Sequence, residues 1–166
     1  HENFDRLFAL PEVEMFGAKV GVVNDSIFHL KRGEIYTIDD NKIFTFGGAQ
    51  SQDKMYRKEG ISWWPQEIPS YAEMQKGLDT LEQADWTVDY ILTHTCPKRI
   101  AQTIVDIDED RMKDPVVEYL DHIFDLTQFK MWYFGHMHID RNFGDKLVGQ
   151  YQTVLEVGKH IWAGGQ

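Results

Sequence analysis

A single cysteine, Cys96, stands in 166 residues, so no disulfide can form within the chain. Such a sequence is expected in a reducing compartment, with the cytoplasm as the default location. No apolar run approaches the roughly 18 residues of a membrane span, and the first residues lack the basic start and apolar centre of a secretion signal. Positive charge is scarce. Lys and Arg number 17 against 27 Asp and Glu, a formal net charge of -10. That balance disfavours nucleic acid as a partner and favours cations, although bound divalent ions would reverse the sign locally and draw phosphate even to an acidic protein. Internal repeats, low-complexity tracts and interdomain linkers are absent, as is an initiating methionine. His1-Glu2-Asn3-Phe4 reads as the interior of a domain, with further sequence expected upstream. At 42% hydrophobic and 13% aromatic residues, the chain carries enough apolar material for one packed domain over residues 1–166.

Short β-branched and aromatic runs at 18–23, 27–30, 34–38 and 42–46 are separated by Asn24-Asp25-Ser26, Lys31-Arg32-Gly33 and Asp39-Asp40-Asn41. Turn residues between such runs predict consecutive antiparallel strands in a meander. The polar segment from Ala49 to Pro69 follows Gly47-Gly48 without clear periodicity and reads as a long ordered loop, a type that is usually functional. Ser70-Tyr71-Ala72-Glu73 supplies a capping box, and Met74, Leu78, Leu81 and Ala84 follow at helical spacing, which predicts a helix from Tyr71 to Ala84. Val88 to Leu92 is a strand of buried type that delivers His94. A second helix is expected to start at Asp114 with Pro115 in its first turn, burying Val116, Leu120, Ile123 and Phe124. Alternation of strand and helix across residues 42–134 argues an α/β arrangement, and ligand sites in open α/β sheets lie beyond the carboxyl ends of the strands. Leu147-Val148 and Thr153-Val154-Leu155, around Gly149, add further strand-like material.

The most informative segment is Gly135-His136-Met137-His138, directly after the apolar run from Phe129 to Phe134. Two imidazoles separated by one residue face one side of an extended backbone, whereas a helix would point them apart, and Gly135 is expected to let the chain turn sharply. His94 likewise follows an apolar strand. His94, His136 and His138 are therefore candidate metal ligands, and three neutral imidazoles could hold one zinc ion with an open position for water. His29 lies inside a strand run, His122 inside a helix and His160 near the carboxyl end, so these three are expected to be structural.

These residues resemble the calcineurin-like metallophosphoesterases. Members carry separated motifs: Asp-x-His, Gly-Asp-x-x-Asp, Gly-Asn-His-Asp or Gly-Asn-His-Glu, a solitary His, and Gly-His-x-His. Here His1-Glu2 is similar to the close of Asn-His-Glu, His94 to the solitary His, and Gly135-His136-Met137-His138 to the last motif, in the right order. The first two motifs and the Asn of the third do not occur at matching places. The resemblance implies part of a four-layer α-β-β-α sandwich with mixed sheets, lacking its amino-terminal strands and motifs, and a metallophosphoesterase activity on a phosphate monoester or diester. It implies two divalent ions, with His94 and His136 ligating one and His138 the other. His1 would contact the phosphate and protonate the leaving group, with Glu2 orienting it. Manganese, iron and zinc all suit such oxygen and imidazole ligation, and the paired ions would lower the pKa of bound water to supply a hydroxide nucleophile.

Other residues admit two readings. Arg57, after Ser51 and Asp53, offers a fork for phosphate or is a solvated surface side chain. Trp63 and Trp64 wall a substrate pocket or anchor the loop. Cys96 reads as a small packed residue rather than a nucleophile. Two rival functions stay open: a non-catalytic metal-binding or protein-interaction domain that retains the fold, and a mononuclear zinc hydrolase built on His94, His136 and His138.

Overall fold

The computed structural model describes residues 2–51, 53–104 and 114–161, and shows an α/β fold with mixed sheets. A short helix α1 (Phe4–Phe8) precedes a three-stranded antiparallel sheet of β1 (Glu12–Met15), β2 (Ala18–Asn24) and β3 (Ile27–Leu30). The larger sheet has six strands in the order β4-β5-β6-β7-β9-β8, from β4 (Glu34–Ile38), β5 (Asn41–Phe46), β6 (Tyr90–Thr93), β7 (Met131–Phe134), β8 (Arg141–Phe143) and β9 (Leu147–Gly149). Helix α2 (Tyr71–Gln83) joins β5 to β6, and α3 (Lys98–Ala101) and α4 (Pro115–Leu126) lie between β6 and β7. Strands β5, β6, β7 and β9 run parallel, with helices in the β5–β6 and β6–β7 connections and β8 in the connection from β7 to β9. Among the described residues, no helix is long and apolar enough to cross a membrane.

The single meander expected over residues 18–46 is two hairpins in separate sheets. β2 pairs with β3 and β4 with β5, and the chain changes sheet at Lys31-Arg32-Gly33. Gly33 has φ +71° and gives its N–H to the Thr45 carbonyl at 2.8 Å. A side chain there would press on the Gly77 backbone of α2 at 3.0 Å, so helix packing rather than strand pairing directs the chain at this point. Tyr36 stitches the two sheets together. Its ring packs with Ala18 and Val20, and its hydroxyl donates to the Lys19 carbonyl at 2.7 Å while accepting the Lys31 N–H at 2.8 Å.

Both predicted helices form as their end signals specify. Ser70 accepts from the Glu73 amide and Glu73 caps the Ser70 amide in return, and α2 ends at Gln83 with Ala84 as its cap. Asp114 caps α4 ahead of Pro115, accepting the Val116 N–H at 2.8 Å. Phe44, Phe46, Ile91, Trp132, Phe134 and Leu147 point from alternate positions of the strands toward Leu81, Val116, Leu120 and Ile123 of the helices. Phe124 is only partly buried, at the margin of this core. On the opposite face Met131, Tyr133 and Val148 pack with Leu155 and Ile161. Strands β1 and β8 were not predicted, and residues 153–155, read as strand-like, form none.

Helices α2 and α4 pack closely at a glycine. A methyl group on Gly77 would sit 2.2 Å from the Tyr119 hydroxyl, which is buried and has no hydrogen-bond partner among the described residues. Gly77→Ala is therefore expected to destabilise the fold by about 1–3 kcal/mol through overpacking. Tyr119→Phe, which removes the orphan hydroxyl, should be neutral or stabilising and should recover part of the Gly77→Ala loss in the double variant. Urea unfolding of the four proteins measures both effects.

Candidate functional site

Strands β5, β6 and β7 end in step. Phe46, Thr93 and Phe134 are level across the sheet, and the pairing continues past them: His94 donates its N–H to the Phe46 carbonyl at 3.3 Å, and Gly135 donates to the His94 carbonyl at 3.0 Å. This places the residues after each strand side by side at the mouth of a cavity of about 780 Å³. His94, His136 and His138 all line it. So do Glu2 and Phe4 from the amino-terminal segment, His29 and Arg32 beside the small sheet, and Asp53, Arg57 and Glu67 from the long loop.

His94 and His136 are in contact, with Nε2 of the first 3.2 Å from Nδ1 of the second and the rings at 62°. His138 is on the same cavity wall, but its ring stacks on Tyr151 with centroids 4.7 Å apart and planes 21° from parallel. Met137, between the two histidines, is buried. Among the described residues, no three His, Cys, Asp or Glu side chains form a group able to hold a metal ion. His1 lies outside the described residues. Its neighbour Glu2 lines the cavity and its charge is felt at His94.

The sharp turn after β7 is not made by glycine flexibility, as expected of Gly135. Left-handed backbone falls instead on His136 (φ +64°) and His138 (φ +51°). That conformation costs an ordinary residue about 1–2 kcal/mol, and strain of this kind persists only where the surroundings enforce it. His94 also sits in a costly setting. Although its ring reaches the cavity, the protein mass around it lowers its pKa, chiefly by desolvation, so at neutral pH its nitrogen lone pair is available to a cation.

His29, expected to be structural, belongs to the same wall. Its Nδ1 is buried without a hydrogen-bond partner among the described residues, and burial, then Lys31 and Arg32, lower its pKa. A strand context hid it, because nothing in the local pattern shows that β3 forms the rim of a cavity. His122 is exposed on α4, and His160 rests near the Asp145 carbonyl at 3.0 Å, so both fit a structural role.

The loop after β5 is held at both ends. Gly48, at φ +116°, admits no side chain, since a methyl there would lie 2.6 Å from the Glu67 carbonyl oxygen. Asp114 accepts the Gln50 N–H at 2.7 Å and thereby ties the loop to the start of α4; burial raises the pKa of this carboxyl. Arg57 is turned onto Asp53, with Nε to Oδ2 at 2.8 Å. Arg32 binds the Gln66 carbonyl at 2.8 Å and Glu73 at 3.3 Å while covering the Phe4 ring. The tryptophans anchor the loop: both are buried, and Trp64 donates its Nε1 hydrogen to Asp5 at 3.0 Å. Cys96 is fully buried, and burial pushes its thiol up to about 12, which excludes a thiolate nucleophile at neutral pH.

No protein-family model, curated protein or solved structure matches this chain.

Two measurements probe this geometry. His138→Gly and His138→Ala both lose the imidazole and differ by one methyl group; at φ +51° relief of left-handed strain outweighs glycine's greater freedom in the unfolded chain, and His138→Gly should be the more stable by about 1 kcal/mol. For His29 the lowered pKa makes protonation favour the unfolded chain. Stability from this group is full above its ordinary pKa of 6.5 and is lost as pH falls below it. His29→Gln should therefore show a shallower decline in stability between pH 7 and 5 than the parent, followed by denaturant midpoints.

Proposed function

We propose that this chain supplies part of the active site of a metal-dependent phosphoesterase, a phosphoric ester hydrolase acting on a phosphate monoester or diester. The observation that carries the reading is the His94–His136 pair at the ends of two adjacent parallel strands. Two ligand nitrogens about 2.0–2.1 Å from one ion and roughly 100° apart would be separated by the 3.2 Å seen between these rings, so the pair fits one edge of a coordination shell. His138 then serves a second ion, and two ions require ligands beyond these three imidazoles. Manganese, iron and zinc suit the donors, and the described sheets would form part of a four-layer α-β-β-α sandwich.

When bound, such ions lower the pKa of water and neutralise charge on phosphoryl oxygens. The chain's own residues do the rest. His94 and His136 present ring nitrogens to one cation, with burial favouring the neutral form of His94. Met137 and Phe4 add apolar surface to the cavity lining. His1, in this reading, gives a proton to the leaving oxygen as the phosphorus–oxygen bond breaks, with Glu2 orienting it. Arg57, already held by Asp53, sets the loop wall and does not serve as a free anion fork.

A second reading rests on the same 3.2 Å contact, which also suits a direct N–H···N hydrogen bond and hence a non-catalytic domain. Metal analysis of the full-length protein, with turnover of p-nitrophenyl phosphate and its bis ester, separates the two. In the phosphoesterase reading, His94→Ala and His136→Ala lose bound metal and lower turnover at least about 100-fold, while His122→Ala keeps both. Turnover that survives loss of both imidazoles would remove the proposal, and a full-length protein that binds no metal and turns over neither ester would favour the hydrogen-bonded domain.

A further inference from the structure

Asp140 is an exposed carboxylate that gathers four donors from one short stretch of chain. It accepts the backbone N–H of Tyr151 at 2.8 Å, of Gln152 at 3.0 Å and of Thr153 at 3.2 Å, together with the Thr153 hydroxyl at 2.7 Å. Just ahead, Gln150 donates its N–H to the Phe134 carbonyl at 2.8 Å, which fixes the base of the stretch to the end of β7. The segment so held presents the Tyr151 ring to His138, two residues before Asp140. Tyr151 is 54% exposed, so burial of apolar surface alone does not explain why it is placed there.

We infer that Asp140 and Tyr151 form a clamp that fixes the ring plane of His138 and so aims its nitrogens at the cation it is proposed to bind. The inference rests on the reading of His138 as a metal ligand. Stacking covers a face of the imidazole and leaves its edge open, and both nitrogen lone pairs lie in the ring plane. A ring held by its face therefore keeps its ligand direction without using either nitrogen. His138 has φ +51° and stacks on Tyr151, while Asp140, two residues on, holds the tyrosine loop through its backbone amides. Asp140 and Tyr151 are thus positioning residues, since neither needs to touch the ion.

The test uses the full chain and zinc ion as the probe. In the metal-free protein the His138 ring protons should resonate upfield of those of His122, through the Tyr151 ring current. This shift should vanish in Tyr151→Ala and Asp140→Ala and persist in Tyr151→Phe. Zinc affinity by calorimetric titration should fall about tenfold in both alanine variants, fall no further in the double variant, and stay at the parent value in Tyr151→Phe. If His138→Ala weakens zinc binding but Tyr151→Ala stays within twofold of the parent, the clamp is overturned while the metal reading stands. Equal weakening in Tyr151→Phe and Tyr151→Ala also overturns it, because the ring is then not what matters. Should His138→Ala bind zinc as the parent does, the assignment of His138 as a ligand falls and the inference with it.

Discussion

The level termination of β5, β6 and β7 is the constraint from which the candidate site follows. Parallel strands joined by helices bring their carboxyl ends to one edge, but only matched register sets His94 beside Gly135-His136 and allows a 3.2 Å contact between imidazoles that are 42 residues apart in sequence. A slip of one residue in β7 would send Met131 and Tyr133 to the helix side and Trp132 and Phe134 away from it. The apolar alternation that buries Trp132 and Phe134 against α4 therefore also places the histidines, and core and site share one specification.

Around the site, charge is balanced locally. Lys31 pairs with Glu12, Arg32 with Glu73, Arg57 with Asp53 and Lys76 with Glu34, so each lysine and arginine on the cavity wall already answers to a carboxylate. Such partly exposed pairs contribute little to stability. Their effect is on the field within the cavity, where each lysine and arginine among the described wall residues has its charge offset by a neighbouring carboxylate.

Much of this was legible in the amino-acid order. Helices α2 and α4 announce themselves through Ser70 with Glu73 and through Asp114 with Pro115, because end signals are local chemistry. The gathering of His94, His136 and His138 on one wall was likewise readable from apolar runs that stop at histidines. What local pattern does not carry is tertiary choice. The split of the expected meander depends on Gly33 meeting Gly77, a contact between residues 44 apart in number, and His29 joins the cavity only because the small sheet is folded over it. Short strands such as β8, three residues long, lie below the length at which alternation can be recognised. Sequence points to Gly135 for the turn after β7, since glycine bends most easily, whereas the left-handed backbone there belongs to His136 and His138.

That last feature bears on how such a segment would change under drift. Glycine adopts left-handed backbone without strain, so a change to glycine at position 136 or 138 relaxes the chain, whereas a change to valine or isoleucine adds strain. Histidine enters this region more readily than most side chains, so the backbone on either side of the buried methionine selects against bulk branched at Cβ and accepts imidazoles.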